Sequence, residues 1–464
     1  MQNSSAGRRA RHTVAAFAIL IALSLALGLT FTRTLRPESD ALRYIDYAIN
    51  IHDHGVFSAQ RDGGAEPPLP ESVHTPLYPA WVALFMRLDP GIRSSLACVR
   101  ANDRSGAPCP LDFQLLVAAQ LALAGVFFGA TWLLALRLSG SVSIAWLTAA
   151  FALLSREPLR YANHVLTEAL LLPALALFSV FLVIAYQERR ARWMIAAGAM
   201  LGLAALTRPA YAYLFLATAG VLAAAALARR RRVLFVSCAL FAVAYAAVVA
   251  PWLARNKLQF DRFALTSTYA GDILSQRIAY NRMGWPEFGV SWIYWFPDFG
   301  DNLAYVIFPA RYCKKLGWQT GSYYATVGPE IYDAAARETG DLNAVLPYLV
   351  RTEILANPVK HALVTLPLAW RGIFVAGYWG IAGLICFAAL FVRHMRKRDF
   401  ALLVASAPAW FMVAFHAFVS VSIPRYNLSL IPLYAFALAW VADAAVSRIA
   451  SRRKAWAAFS RNRA

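Results

Sequence analysis

The sequence predicts an all-α protein that crosses a membrane about ten times. Three observations carry this. Of its 464 residues, 59% are hydrophobic and 15% charged, against about 25% charged in an ordinary soluble domain. The apolar residues gather into runs close to the roughly 20 residues a membrane helix needs. The basic residues fall in short clusters between those runs, as expected for loops held on the cytoplasmic side.

Taken in order, the runs cover 13–32, 115–136, 142–154, 166–186, 193–206, 211–228, 233–253, 374–392, 401–421 and 428–446. Several are short, which paired hairpins within a bundle tolerate. The run from Val14 to Thr30 follows Arg8, Arg9 and Arg11 like a signal sequence. It lacks a small-x-small cleavage site before the polar segment and reads as a retained first span. With the N-terminus inside, alternation places the clusters around Arg189, Arg229, Arg393 and Arg448 inside as well. The net charge of +20 is therefore a topology signal. It is not the stripe of a nucleic-acid-binding protein.

The same alternation divides the chain into a membrane module (1–256), an outer segment (257–372), three C-terminal spans (373–448) and a basic inner tail (449–464). Within the first module, 33–111 is a long outer loop. Ala41, Tyr44, Ile45, Ala48 and Ile51 repeat at helical spacing. That helix would lie at the interface with its apolar side among headgroups. Gly63-Gly64 and the prolines from Pro67 to Pro70 mark a loop, and 75–86 reads as a second interfacial helix. In the second outer segment, Trp285, Trp292, Tyr294, Trp295 and Phe296 form either an interfacial aromatic belt or a platform for sugar or lipid. A helix over 342–370 is interrupted at Pro358. Cys98 and Cys109 share the outer loop, where a disulfide is permitted, and that pair is predicted, with two free thiols as the alternative. Cys238 and Cys386 lie in apolar runs, and Cys313 is left over. There is no internal repeat and no Gly-rich phosphate loop, which argues against a nucleotide-sugar or ATP site.

The polar residues of interest all fall on the outer side. Asp40 stands at the mouth of the first span, where a carboxylate serves as a general base or as a helix cap. Arg43 and Tyr44 follow on the same helical side. Arg43 pairs with Glu38 or Asp46, or grips phosphate through its guanidinium fork. His164 and Glu168, four apart at the fourth span, face together. They orient the loop or hold a divalent metal with His74 or Asp40 as a third ligand. Arg208, Arg255 and Arg425 each end an apolar run. They snorkel to headgroups or, since the positive-inside pattern disfavours outer arginines, bind an anionic ligand. His74 and Tyr78, in a segment stiffened by Pro76 and Pro79, shape the site or serve the loop alone.

The order of these motifs resembles the GT-C class of membrane glycosyltransferases, in the bacterial family that includes lipid A aminoarabinose transferase and protein O-mannosyltransferase-like proteins. The residues are Asp40-x-x-Arg43-Tyr44, His74-Thr-Pro-Leu-Tyr78-Pro, Leu166-Thr-Glu168, Leu206-Thr-Arg208-Pro209, Pro251-Trp252-x-x-Arg255-Asn256, Asn357-Pro358 and Arg425-Tyr426. The resemblance implies a polyprenyl-phosphate sugar donor used on the periplasmic side of the inner membrane, inversion at the anomeric carbon, and an acceptor that is an envelope lipid, glycan or protein. It implies Asp40 as the catalytic residue, with Arg43 and Tyr44 lining the donor site. His74-Thr75-Pro76 departs from the lysine and paired prolines of the aminoarabinose transferases, so the resemblance implies the class and not that sugar. The alternatives on the same topology are a lipid-linked glycan transporter and an O-antigen polymerase or ligase.

Overall fold

A computed structural model describes residues 2–30, 39–61, 67–102, 109, 110 and 112–461. Glu38, Gly63 and Gly64 lie outside them. All regular structure among these residues is helical. In chain order the helices are α1 (Gln2–Gly28), α2 (Ser39–His54), α3 (Leu77–Leu88), α4 (Pro90–Ala101), α5 (Gln114–Ser139), α6 (Val142–Leu154), α7 (Glu157–Ala162), α8 (Glu168–Glu188), α9 (Trp193–Thr207), α10 (Tyr211–Arg229) and α11 (Arg232–Phe260). The second outer segment holds α12 (Tyr269–Ala279), α13 (Trp285–Tyr294), α14 (Gly300–Ile307), α15 (Ala310–Leu316), α16 (Gly328–Thr339), α17 (Val345–Leu349) and α18 (Pro358–Gly372). The chain then runs through α19 (Tyr378–Arg396), α20 (Ala401–Val419) and α21 (Ile431–Arg461).

Eight helical stretches among the described residues are long and apolar enough to cross a membrane. The other two expected spans, α6 and α9, are apolar helices of 13 and 15 residues. Both pack inside the bundle, α6 against α5 and α21, and α9 between α8 and α11. Helix against helix in lipid gains from close backbone approach. Gly125 of α5 lies so near α1 that a Cβ there would fall 2.4 Å from the Ile21 Cα. Gly198 of α9 faces the Phe241 carbonyl of α11, 2.3 Å from where its Cβ would stand.

The first outer loop departs from its expected place. The apolar side of α2 does not lie among headgroups: Ala41, Ile45, Ala48 and Ile49 are buried in the protein core. α2 packs on α3 and α4, because a stripe wide enough to sit on lipid also suits two short helices folded beneath it. α4, unanticipated in the sequence, begins at Pro90 and is capped by the Asp89 carboxylate, which accepts from the Gly91 N–H. A disulfide joins Cys98 at its end to Cys109. Asp46 pairs with Arg61 and Arg100, at 3.1 and 3.0 Å, which leaves Arg43 to other work. The helical stretch is interrupted before Pro358, as expected: helical turns end at Ile354. Pro358 begins α18, with Asn357 accepting from the Lys360 N–H, since proline at a first helical position costs no hydrogen bond.

Candidate functional site

Four separate parts of the chain meet at one end of the bundle: the first turn of α2, the first turn of α8, the turn between α9 and α10, and the 3-10 turn leading into α21. Glu168 begins α8 and is 1% exposed. A helix N-terminus favours a carboxylate, and burial then demands partners. Two guanidinium groups supply them. Arg208 donates through Nη2 to Oε1 at 2.5 Å, and Arg425 donates through Nε to the same oxygen at 2.5 Å and through Nη2 to Oε2 at 3.3 Å. Arg208 also donates through Nε to the Thr167 hydroxyl at 2.8 Å. Each guanidinium has an aromatic ring against it, Tyr426 for Arg208 and Tyr161 for Arg425. Such contacts hold a cation in place without adding a second charge.

Arg425 also reaches Asp40. Its Nη1 lies 3.5 Å from Asp40 Oδ2, and the Asp40 side chain is 47% exposed. One guanidinium therefore bridges a buried carboxylate and an open one. Arg43 is exposed, one turn along α2 from Asp40. Among the described residues it makes no hydrogen bond or ion pair, which leaves a whole guanidinium fork available.

The wall beside this network is aromatic. The Tyr44 ring meets His74 at 5.9 Å and Tyr78 at 5.4 Å, and His74 also meets Tyr269 at 4.8 Å. The segment bearing His74 is pinned where the Thr75 hydroxyl donates to the Thr207 carbonyl at 3.0 Å. Burial, with help from Arg43, pushes the His74 imidazole down to about 4. It is neutral at physiological pH and does not bind phosphate as a cation. Burial raises the Tyr44 phenol above its ordinary value, so Tyr44 is a hydrogen-bond donor near neutrality.

Asp40, Arg43, Tyr44, His74, Glu168, Arg208 and Arg425 thus come together. Two other expected residues engage their polar groups elsewhere. Tyr78 is fully buried, and its hydroxyl donates to Gln120 Oε1 at 2.9 Å. The Gln120 amide in turn donates to the carbonyls of Ala162 and His164, tying α3 to the approach to α8. Arg255 donates to the Glu71 carbonyl at 2.8 Å and lies against Phe57, Trp252 and Phe260. It fastens the first outer loop to α11 and does not face the Asp40 network. For the metal reading of His164 and Glu168, no group of three His, Cys, Asp or Glu side chains able to hold an ion occurs among the described residues. Both Glu168 oxygens are already engaged by cations, which repel a metal from that carboxylate.

Sequence reasoning passed over several neighbours. Tyr269 and Asp272 of α12 reach the site from the second outer segment. Burial raises the Asp272 carboxyl, while the Gln276 hydrogen bond and then the Arg43 charge draw it back down. Tyr161 and Thr167, which fix the two arginines, carry no distinctive pattern. Gln120 does give a signal, as a lone amide in an apolar span.

No family model matches the chain, and no curated protein does. Among solved structures it is similar to ArnT from Cupriavidus metallidurans in the apo state, with 16% identity, coverage of 93% of this chain and 77% of that one, and a TM-score of 0.36. It is similar to the same protein bound to undecaprenyl phosphate, with 15% identity, coverage of 92% and 76%, and a TM-score of 0.36. At that distance the likeness carries no argument about chemistry, which is taken from the residues themselves.

Proposed function

We propose that the protein is a membrane glycosyltransferase that moves a sugar from a polyprenyl-phosphate donor to an acceptor at the Asp40 end of the bundle. The observation that carries this reading is the half-exposed Asp40 carboxylate held by Arg425, with the unpaired Arg43 guanidinium one turn away. The ordered motifs shared with the GT-C class support it.

The chemistry asks for both groups. Asp40 takes the proton from the acceptor hydroxyl or amine as that atom attacks the anomeric carbon from the face opposite the phosphate. The bond from the anomeric carbon to the phosphate oxygen breaks with its electron pair, and the configuration inverts. The phosphate passes from one negative charge to two, so a guanidinium beside it stabilises the transition state more than the ground state. Arg43 is free to do this. Arg208 and Arg425 are spent on Glu168; they set the position of Asp40 and of the surrounding turns. Tyr44 and neutral His74 line the donor side.

The test incubates purified protein and an Asp40→Asn variant with polyprenyl-phosphate sugars and an envelope extract, and follows freed polyprenyl phosphate and new glycosylated product by mass spectrometry. Wild type should release polyprenyl phosphate, and the variant should be slower by roughly 10²–10⁴-fold with donor binding kept. Equal turnover by both removes Asp40 from its role. Transport of the intact lipid-linked sugar, unaffected by the substitution, would replace the transferase with a transporter.

A further inference from the structure

The second outer segment contains a buried arginine that the Asp40 network does not explain. Arg371 lies near the end of α18 and is 8% exposed. Among the described residues it forms no salt bridge, and its Nη1 has no hydrogen-bond partner. Two tryptophans lie against the guanidinium, Trp318 at 4.3 Å and Trp295 at 5.2 Å. An aromatic face attracts the charge but accepts no in-plane N–H bond from it. The Tyr280 hydroxyl is also buried; burial raises it and the adjacent Arg371 guanidinium draws it down, yet among the described residues it makes no hydrogen bond of normal geometry. Two carboxylates of neighbouring elements have other partners: Glu287 pairs with Lys315 at 2.8 Å, and Asp298 accepts from the Tyr378 N–H at 2.9 Å.

Arg277, in the same segment, shows what a structural arginine looks like here. It is fully buried but donates to the carbonyls of Ala417 and His361, to Thr365 Oγ1 and to Asn281 Oδ1. Its donors are spent on holding α12 to α18 and α20. Those of Arg371 are not. A buried charge with unmade hydrogen bonds is costly, and an incoming oxyanion would relieve that cost. Trp318 covers the group and is 48% exposed, so a ligand seated there meets an open aromatic face as well as a cation. Trp318 in turn packs edge-on against Tyr324 at 4.6 Å. Burial, with added contributions from Tyr426, Asp40 and Asp272, raises the Tyr324 hydroxyl to about 12. Tyr324 thus touches Trp318 and lies within electrostatic reach of Asp40.

We propose that Arg371, Tyr280 and Trp318 form a subsite for a sugar that carries an oxyanion, the phosphate or carboxylate bonding the Arg371 and Tyr280 donors and the ring resting on Trp318. The fork of a guanidinium suits either oxyanion. The saccharide part rests on the glycosyltransferase reading and places a charged sugar of donor or acceptor on Trp318. The anion part stands without it.

The experiment measures binding to the full chain in phosphatidylcholine nanodiscs by saturation-transfer NMR, using glucose 6-phosphate, glucuronate, glucose and inorganic phosphate as probes. Arg371→Met, Trp318→Ala and Arg337→Gln variants are compared with wild type, Arg337 being an exposed arginine of α16 with no part in either site. One or both charged sugars should bind, glucose should bind at least tenfold more weakly, and Arg371→Met and Trp318→Ala should each lose about tenfold or more while Arg337→Gln keeps its affinity. Which charged sugar binds identifies the oxyanion. The Arg371→Met thermal midpoint should stay level or rise, because an apolar chain replaces an uncompensated charge. The subsite is overturned if neither charged sugar binds wild type, if Arg371→Met binds as well as wild type, or if its midpoint falls by several degrees, which would mark a structural cation. Inorganic phosphate binding as tightly as glucose 6-phosphate removes the saccharide from the proposal. Charged-sugar binding that persists in a protein with no transferase turnover sinks the proposed activity and leaves the subsite standing.

Discussion

Glu168→Gln is the perturbation that most directly tests the network. The substitution keeps the shape and one carbonyl acceptor but removes the charge facing two guanidiniums. Glu168 is 1% exposed, and the Arg208 and Arg425 side chains are 15% and 12% exposed, so solvent screens little of the change. Removing one member of a buried ion pair typically costs 3–5 kcal/mol. Two features here reduce that figure. Arg425 retains Asp40 at 3.5 Å, and the glutamine oxygen still accepts one hydrogen bond. The expected loss is therefore about 3 kcal/mol. It should appear in urea-induced unfolding of the detergent-solubilised protein, followed by tryptophan fluorescence. A second substitution, Arg208→Gln on the Glu168→Gln background, should recover part of the loss, because it removes one of the two stranded cations. A coupling between the two positions of at least about 1 kcal/mol is expected. A single-variant loss below about 0.5 kcal/mol, or strict additivity, would refute the view that Glu168 is the counter-ion of both arginines.

Three further outcomes follow from individual contacts. Arg43→Gln should lower kcat/KM for the polyprenyl-phosphate donor by about 10²-fold with no change in thermal midpoint, because Arg43 is exposed and unpaired; a stability loss of the same size as the activity loss would make it structural. Tyr78→Phe strands the Gln120 acceptor and should cost about 1–3 kcal/mol in unfolding while leaving donor affinity within a factor of two or so; a selective loss of affinity would return Tyr78 to the donor site. His74, held near 4 by burial and by Arg43, binds fewer protons folded than unfolded between roughly pH 6.5 and 4, so its contribution is intact above that window and stability falls as pH drops through it. His361, also lowered to about 4 by burial first and by Arg277, acts in the same direction. His74→Asn should remove part of the acid slope of stability and leave the remainder, and an unchanged slope would show that His74 does not titrate with folding.

The parts of this protein that were legible in its sequence are those set by short-range chemistry. Apolar runs of spanning length gave the helices, and the basic clusters gave an alternation that put Asp40, Glu168, Arg208 and Arg425 on one face. Their meeting in space agrees with that alternation. What could not be read was which partner each polar group takes. Glu168 joins Arg208, 40 residues away, and Arg425, 257 residues away, and no spacing rule reaches so far. Arg255 looked like Arg208 and Arg425 at the end of an apolar run, yet the Glu71 carbonyl and three aromatic rings hold it elsewhere. The apolar side of α2 was visible as a stripe. Whether lipid or protein covers such a stripe depends on helices as weakly marked as α4. Arg371 was invisible for the same reason: its importance lies in partners it lacks, and a sequence does not record missing partners.

The sharing of Arg425 explains how two carboxylates at one site can differ in task. Glu168 is sealed, doubly paired and fixed at a helix start, so any proton it took would leave two cations stranded in a poorly solvated place. That makes it an anchor and a poor base. Asp40 has only the 3.5 Å contact with Arg425 and about half its side chain open. A proton arriving there strands little, since Arg425 keeps Glu168. The acceptor can also reach it. Proton transfer should therefore fall to Asp40 although Glu168 is the better-held residue, and the strength of a carboxylate's ion pairs in this network runs opposite to its fitness for chemistry. Arg43, a guanidinium with no carboxylate attached among the described residues, is by the same reasoning the cation left to meet the phosphate.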